Sequence, residues 1–394
     1  MNRPLLAMAI LAFLLRLGYA IVSGALVHPQ TWEQEQIATN LIERHAFVYD
    51  HDGFVYRSYS EPMYPFLAAG VYLATNHNQT ALVLLQLLIA AATVWIVGTL
   101  PLQGANIAAL LLAIHPGFIR YSSVLHPFVL DSFFFIAAAA ALVRFRHEPS
   151  LRRGIVAALI IGLGALTRPT ILLFVVPLCW IARRVPRMLV LALVTLAVVA
   201  PWTIRNACVH RTFMLTRSGS GLVFWLGNNP ATSGSAMDAE GRAVITKAPP
   251  ELQRRIAGAK NEVERDRIFS DAAWQYIRAH PFAASGRYAQ RLGYFWWFSP
   301  QWGAAYSPRL RLVYRAWWLA LLVLMAIGAA RSRNRDVWLL AALAILISLL
   351  QSAYYVEGRH RLAIEPLLLP LAAQGATLLG NRLLRRGETR AARV

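Results

Sequence analysis

Two glutamates and one aspartate are the carboxylates of this chain best placed by sequence to do acid–base chemistry. Glu33 and Glu35 sit in Trp32-Glu-Gln-Glu-Gln-Ile-Ala-Thr-Asn-Leu41, and Asp131 interrupts the apolar run His126-Pro-Phe-Val-Leu-Asp-Ser-Phe133. An acid inside an apolar segment is costly and marks a functional candidate, although a carboxylate in the first turns of a helix also gains from the helix dipole. Residues two apart on a helix point about 200° apart, so Glu33 and Glu35 cannot both aim at one reacting atom. Ile37, Ala38, Leu41 and Ile42 define the apolar face, with one glutamate on each flank. Geometry does not choose between them. A second set is cationic: Arg57, Arg120, Arg168, Arg205, Arg359 and Arg361 fall beside apolar runs. Guanidinium groups bind phosphate bidentately, and long cationic side chains also snorkel to lipid headgroups.

The elements that must hold these groups are membrane helices. Of the 394 residues 57% are hydrophobic, and the mean hydropathy is +0.46. Apolar runs at Ala81–Leu100, Ala105–Gly117, Pro127–Val143, Gly154–Leu166, Ile171–Ala182 and Met188–Ile204 follow one another with little more than arginines between them. Backbone in lipid must satisfy its own hydrogen bonds, so these runs are expected to be helices. Leu5–Val27 reads as an uncleaved first span, and Leu310–Ala330, Val337–Leu350 and Leu362–Leu379 complete a set of about ten. The expected fold class is thus an all-α polytopic membrane protein, a bundle with two long outward loops.

Arginine placement orients the bundle. Arg144, Arg146, Arg152 and Arg153 form one cluster, Arg183, Arg184 and Arg187 a second, and Arg331, Arg333 and Arg335 a third. Arg382, Arg385, Arg386, Arg390 and Arg393 form a fourth. All fall on one side if both termini are cytoplasmic. The organisation expected is residues 1–205 as an N-terminal membrane domain with a first periplasmic loop at 28–80. A second periplasmic region covers 206–308, and C-terminal helices with a basic tail cover 309–394. In the first loop, Glu61-Pro-Met-Tyr-Pro65 opens an apolar run that dips along the membrane surface. In the second, Ser218–Ser235 is irregular, Glu251–His280 reads as one charged amphipathic helix ended by Pro281, and Tyr294–Trp302 is an aromatic interfacial belt.

The formal charge of +20 does not indicate nucleic acid, because the arginines sit at helix ends rather than in a basic tail with interleaved aromatics. Membrane lipids and lipid-linked phosphates are the expected partners. The two cysteines, Cys179 and Cys208, and histidines 28, 45, 51, 77, 115, 126 and 360 lack metal-ligand spacing, and no phosphate-cradling glycine loop is present.

Seven segments, in order, resemble the polyprenyl-phosphate-sugar-dependent GT-C glycosyltransferases, the group that includes protein O-mannosyltransferases and the lipid A aminoarabinose transferase. They are the Trp32 segment through Phe47, Tyr56-Arg-Ser-Tyr-Ser-Glu-Pro-Met-Tyr-Pro, Gly164-Ala-Leu-Thr-Arg-Pro-Thr, Pro201-Trp-Thr-Ile-Arg-Asn, Leu226-Gly-Asn-Asn-Pro, Ala279-His-Pro and Gly358-Arg-His-Arg-Leu-Ala-Ile-Glu-Pro. The resemblance implies a GT-C-like bundle. It also implies inverting transfer of a sugar from an undecaprenyl-phosphate-linked donor to an envelope glycan, lipid or protein hydroxyl, at the periplasmic face of a bacterial inner membrane, without cofactor or metal. A first-loop acid would be the base, Glu33 or Glu35, with Asp131 as the other candidate. Arg57, Arg168, Arg205, Arg359 and Arg361 would hold the donor phosphate, and Tyr56, Tyr59, Tyr64, Asn228 and Asn229 would line the substrate cleft. The family's first-loop acid is usually aspartate, and Glu61 stands where the aminoarabinose transferase has a lysine. A non-catalytic transporter or flippase of lipid-linked sugars would use the same arginines without a positioned acid.

Overall fold

The computed structural model describes residues 3–51, 53–237, 242–299 and 307–391, with side chains through 381. The chain opens with α1 (Arg3–Val22) and α2 (Glu33–Glu43), then a small antiparallel hairpin, β1 (Tyr49–His51) and β2 (Phe54–Tyr56), which pairs Tyr49 with Tyr56. There follow α3 (Met63–Thr75), α4 (Gln79–Gly98), α5 (Ala105–Ala113), α6 (Pro116–Tyr121), α7 (Phe128–His147) and α8 (Leu151–Ala165). A 3₁₀ turn at Pro169–Phe174 leads into α9 (Val175–Ala182) and α10 (Val185–His210). The second loop region holds α11 (Ser220–Gly227), α12 (Pro250–Ala257), α13 (Glu262–Ala279) and α14 (Pro281–Trp296). The chain closes with α15 (Pro308–Arg331), α16 (Arg335–Gln351), α17 (Gly358–Leu362) and α18 (Glu365–Ala391).

Among the described residues, α1, α4, α7, α10 and α15 are long and apolar enough to cross a membrane. Their caps are written in the sequence. Asn78 accepts from the Ala81 N–H at the start of α4, Ser307 from Leu310 before α15, and Asn334 from Asp336 before α16. Helices α15 and α18 cross at backbone contact: a Cβ on Gly328 would lie 2.1 Å from the Leu371 carbonyl oxygen, and one on Gly375 would lie 2.0 Å from that of Leu324. Small residues allow such an approach where lipid gives helices no hydrophobic reason to associate.

The apolar run Ala105–Gly117 is not one helix. α5 stops after nine residues, about 14 Å of rise, because Pro116 cannot donate to the ladder. The break is sealed from inside: Arg16, fully buried on α1, donates to the carbonyls of Leu112 (3.1 Å) and Ala113 (3.0 Å). His115 Nδ1 accepts the Gly117 and Phe118 N–H groups at the start of α6. The charged stretch Glu251–His280 is likewise two helices, since Asn261 caps a fresh start at α13, and Pro281 opens α14 at its first position as well as ending α13. Residues 300–302 of the aromatic stretch and Arg393 lie outside the described residues, as do the side chains of Arg382, Arg385, Arg386 and Arg390.

The two ends of the bundle differ. At one, Arg146 and His147 of α7 both reach Asp336 of α16 (2.6 and 2.7 Å), and Arg144 donates to Thr99 beyond α4 (2.9 Å). The other end of α7, about 30 Å away, carries both long loops. There one buried carboxylate ties the loops together. Glu262 of α13 accepts the backbone N–H groups of Arg57 (3.0 Å) and Ser58 (3.3 Å) and the Ser218 hydroxyl (2.8 Å), and meets His210 at 3.0 Å. The Met63 N–H donates to Leu166 O (3.1 Å), so the first loop lies over the end of α8.

Candidate active site

Between the loops and this end of the bundle lies a cleft of about 960 Å³. Its wall draws on six separate parts of the chain: Trp32 and Glu33 from the start of α2, Tyr59 and Glu61 from the first loop, His126 and Asp131 around the start of α7, Arg168 after α8, Arg217 from the second loop and Arg359 from α17. The neighbouring strands of loop explain the convergence. Residue Thr31 bridges Leu125 in parallel, and the Leu125 N–H donates to Gln30 O (2.9 Å), which sets Trp32 beside His126 with ring centroids 5.0 Å apart.

The guanidinium groups of the cleft are held by acids. Arg168 lies 3.5 Å from Asp131, Arg217 lies 3.7 Å from Glu61, and Arg359 lies 2.8 Å from Glu357 with its Cζ 4.3 Å from the Trp32 ring centre. Burial opposes the charge on Arg217 and Arg359, but Glu61 and Glu357 respectively, helped by nearby tyrosines, hold both above the usual arginine range. Both remain cationic at any working pH. Burial also raises Tyr59, and Glu33 adds to that shift.

Of the residues singled out from sequence, Glu33, Asp131, Arg168, Arg359 and Tyr59 line this cleft. The others point elsewhere. Glu35 leaves α2 on its opposite flank, accepting from Gln79 (3.1 Å) and Tyr72 (3.4 Å) with His77 at 3.6 Å. Arg57 is exposed. Arg205 donates to the Arg57 carbonyl and the Ser58 hydroxyl (both 2.7 Å) and stacks on Trp202. Arg361 is fully buried against Glu365 (2.6 Å). Tyr56 belongs to the hairpin, and the buried Tyr64 donates to Gln86 (2.7 Å). Asn228 and Asn229 bind backbone carbonyls at the end of α11. Arg217, Glu61, His126 and His360 join the cleft without having been singled out as site residues. Arg217 immediately precedes Ser218–Ser235, the segment read as irregular, and its one hint was a cation among uncharged neighbours. Among the described residues no group of three His, Cys, Asp or Glu side chains could hold a metal ion.

The two cleft histidines are neutral. Burial, then Arg359, Arg168 and Arg217, drives His126 well below the usual imidazole range. Burial, then Arg359, Arg168, His126 and Arg217, does the same to His360. A histidine so lowered takes up its proton only on unfolding when pH lies between the folded and unfolded values. Stability is therefore full above about pH 6.5 and falls on acidification, by up to about 1.4 kcal/mol per pH unit for each histidine. Thermal unfolding in detergent at pH 7.5 and 5.5 is expected to show a smaller drop for His126→Gln than for the wild type. Equal drops would contradict a neutral His126.

No family model matches the sequence, and no curated protein matches it. Solved structures do. The Archaeoglobus fulgidus oligosaccharyltransferase AglB, solved with an inhibitory peptide and a dolichol-phosphate, aligns over 98% of this chain and 52% of its own at 15% identity with TM-score 0.52. The same enzyme solved with Zn and sulfate aligns over 96% and 50% at 13% identity with TM-score 0.58. ArnT from Cupriavidus metallidurans, in the apo state, aligns over 92% and 77% at 15% identity with TM-score 0.38. The chain spans about half the length of the oligosaccharyltransferase. At these identities the likeness is one of fold, and the fold of this chain is that of the GT-C membrane glycosyltransferases.

Proposed function

We propose that the chain is an inverting glycosyltransferase that moves a sugar from an undecaprenyl-phosphate-linked donor to a hydroxyl of an envelope glycan, lipid or protein, on the periplasmic side of the inner membrane. The observation that carries this is the cleft itself. It sets Glu33 and Asp131 among the guanidinium groups of Arg168, Arg217 and Arg359, at the loop-bearing end of an apolar bundle. In the step proposed, Glu33 takes the proton of the acceptor hydroxyl as its oxygen attacks the anomeric carbon. The bond from that carbon to the phosphate oxygen breaks, and the prenyl phosphate leaves with the electron pair. Its new charge faces Arg168, Arg217 and Arg359. General-base assistance contributes about 10²–10⁴-fold, and fixed cations aimed at the developing charge contribute as much or more.

Two measurements test the reading. Purified protein in detergent should transfer sugar from a synthetic undecaprenyl-phosphate hexose, and a protein that only binds and moves the lipid would release none. Within the arginines, Arg168→Lys and Arg359→Lys should weaken binding of the donor lipid about tenfold, since lysine cannot reproduce a bidentate fork. Arg57→Lys and Arg205→Lys should leave the affinity of the folded protein unchanged, because Arg57 is exposed and Arg205 is spent on the first loop. The reverse pattern would move the phosphate out of this cleft.

A further inference from the structure

The helix that carries Glu33 begins against the usual preference. Trp32 is the N-cap of α2, and its side chain caps nothing. Ser, Thr, Asp and Asn are favoured there because a side-chain oxygen takes up a free N–H, and indole has no acceptor to offer. A position that gives up a local preference is spent on something else. Here it is a cation. The Arg359 guanidinium carbon stands 4.3 Å from the centre of the Trp32 ring, well inside the range of a cation–π contact, and tryptophan is the best ring for one.

Two kinds of contact hold Arg359. Glu357 (2.8 Å) and the Tyr355 hydroxyl (3.4 Å) lie within four residues of it, so they fix the side chain relative to its own segment. Trp32 comes from the other end of the chain and fixes it relative to the cleft, which both residues line. The ring is itself anchored. Thr31 bridges Leu125, the Trp32 ring meets His126 edge-on at 5.0 Å, and His126 stacks on Phe128 at 3.8 Å. Arg359 still keeps 18% of its side chain accessible. An aromatic face attracts a cation through its quadrupole and brings no net charge. A second carboxylate in that place would compete with an incoming phosphate, and a ring does not.

We propose that Trp32 is a positioning residue for the donor, its ring holding the Arg359 guanidinium ready for the lipid phosphate beside Glu33. This rests on the lipid-phosphate donor reading above, and adds to it the residue that preorganises the cation. Base and cation then share one support: the residue whose ring carries Arg359 also begins the helix whose first residue is Glu33. An arginine already ordered when the phosphate arrives loses less freedom on binding. For one such side chain that is worth about 2- to 10-fold in affinity.

Binding of undecaprenyl phosphate to the full chain in detergent tests the role. Ring-fluorinated tryptophans incorporated in place of Trp32 keep the shape of the side chain and withdraw negative charge from its face. Affinity should fall stepwise as fluorines are added, by about 3- to 10-fold in all, with the thermal unfolding midpoint unchanged. The same series at Trp202, which carries Arg205 away from the cleft with its Cζ 4.7 Å from the ring centre, should change affinity less than about twofold. Trp32→Leu keeps apolar bulk without a π face, and its folded fraction should lose at least as much as the most fluorinated ring. Affinity indifferent to fluorine at Trp32 overturns the positioning role and leaves the lipid-phosphate reading standing, and so does an equal fall in both series. Wild-type protein that binds no undecaprenyl phosphate overturns the donor reading, and the positioning role with it.

Discussion

Glu33→Gln is expected to lower sugar transfer at least about 10²-fold, while Glu35→Gln stays within a few-fold of the wild type. The two residues differ by two positions on one short helix, and that spacing sends them to opposite flanks. Glu33 faces the cleft, where its polar contact among the described residues is the neighbouring Gln34 amide at 3.2 Å. Glu35 is taken up by Gln79, Tyr72 and His77, and helps to pack α2 against α3 and the start of α4. Glutamine keeps size and shape and removes only the ability to accept a proton, so the size of the loss reports on general-base work. Donor binding measured alongside should be nearly unchanged in Glu33→Gln, because the proton moves in the transition state rather than on binding. Full activity in Glu33→Gln would transfer the base to Asp131, the other acid of the cleft, and Asp131→Asn would then carry the large loss. Loss in Glu35→Gln alone would overturn the geometry of α2 described here.

The sequence made the membrane helices legible because lipid leaves the backbone few options, and an apolar run bounded by arginines has one natural reading. It was less informative where a run contained its own breaker. Pro116 was visible, but the Arg16 guanidinium that makes a helix end tolerable at Ala113 comes from α1, ninety-six positions from Leu112, the nearer of the two α5 carbonyls it reaches, and no local pattern announces it. The same holds for the site. Glu33, Asp131, Arg168 and Arg359 could be picked out because each is a charge in or beside an apolar run. Arg205 and Arg361 share that signature and yet point away from the cleft, since what distinguishes them is the tertiary partner: the Arg57 carbonyl in one case and Glu365 in the other. Glu262 was hidden by its neighbours. In a helix rich in charge it looks solvated, and only the fold of the first loop turns it into the buried carboxylate that holds Arg57, Ser58 and Ser218.

Arg361 supplies the second large effect, and it should be an effect on folding. Its Nε lies 2.6 Å from Glu365 Oε1, one of its terminal nitrogens donates to Phe295 O at 2.9 Å, and its Cζ stands 3.8 Å from the centre of the Trp318 ring. Glu365 in turn meets His115 Nε2 at 2.5 Å, with all three side chains fully buried. Because His115 Nδ1 accepts two backbone N–H groups at the start of α6, its Nε2 carries a hydrogen for the carboxylate. The cluster thus joins α6, α14, α15, α17 and α18 through one buried ion pair and the hydrogen bonds and ring contact around it, and removing one member strands the others. Arg361→Met is expected to destabilise the protein by about 3–5 kcal/mol, the range for breaking a buried ion pair from one side. Arg361→Met combined with Glu365→Leu should recover much of that loss, since the stranded charge is then gone and only neutral groups, the His115 donor and the Phe295 carbonyl among them, lose a partner. Thermal unfolding in detergent reads the stability, and binding of undecaprenyl phosphate to the folded fraction reads the site. A phosphate ligand would behave differently: Arg361→Met would fold as well as the wild type and fail to bind. The structure predicts the opposite split, with Arg359→Met, two residues earlier, keeping the fold and losing the lipid, and Arg361→Met losing the fold while its folded fraction still binds.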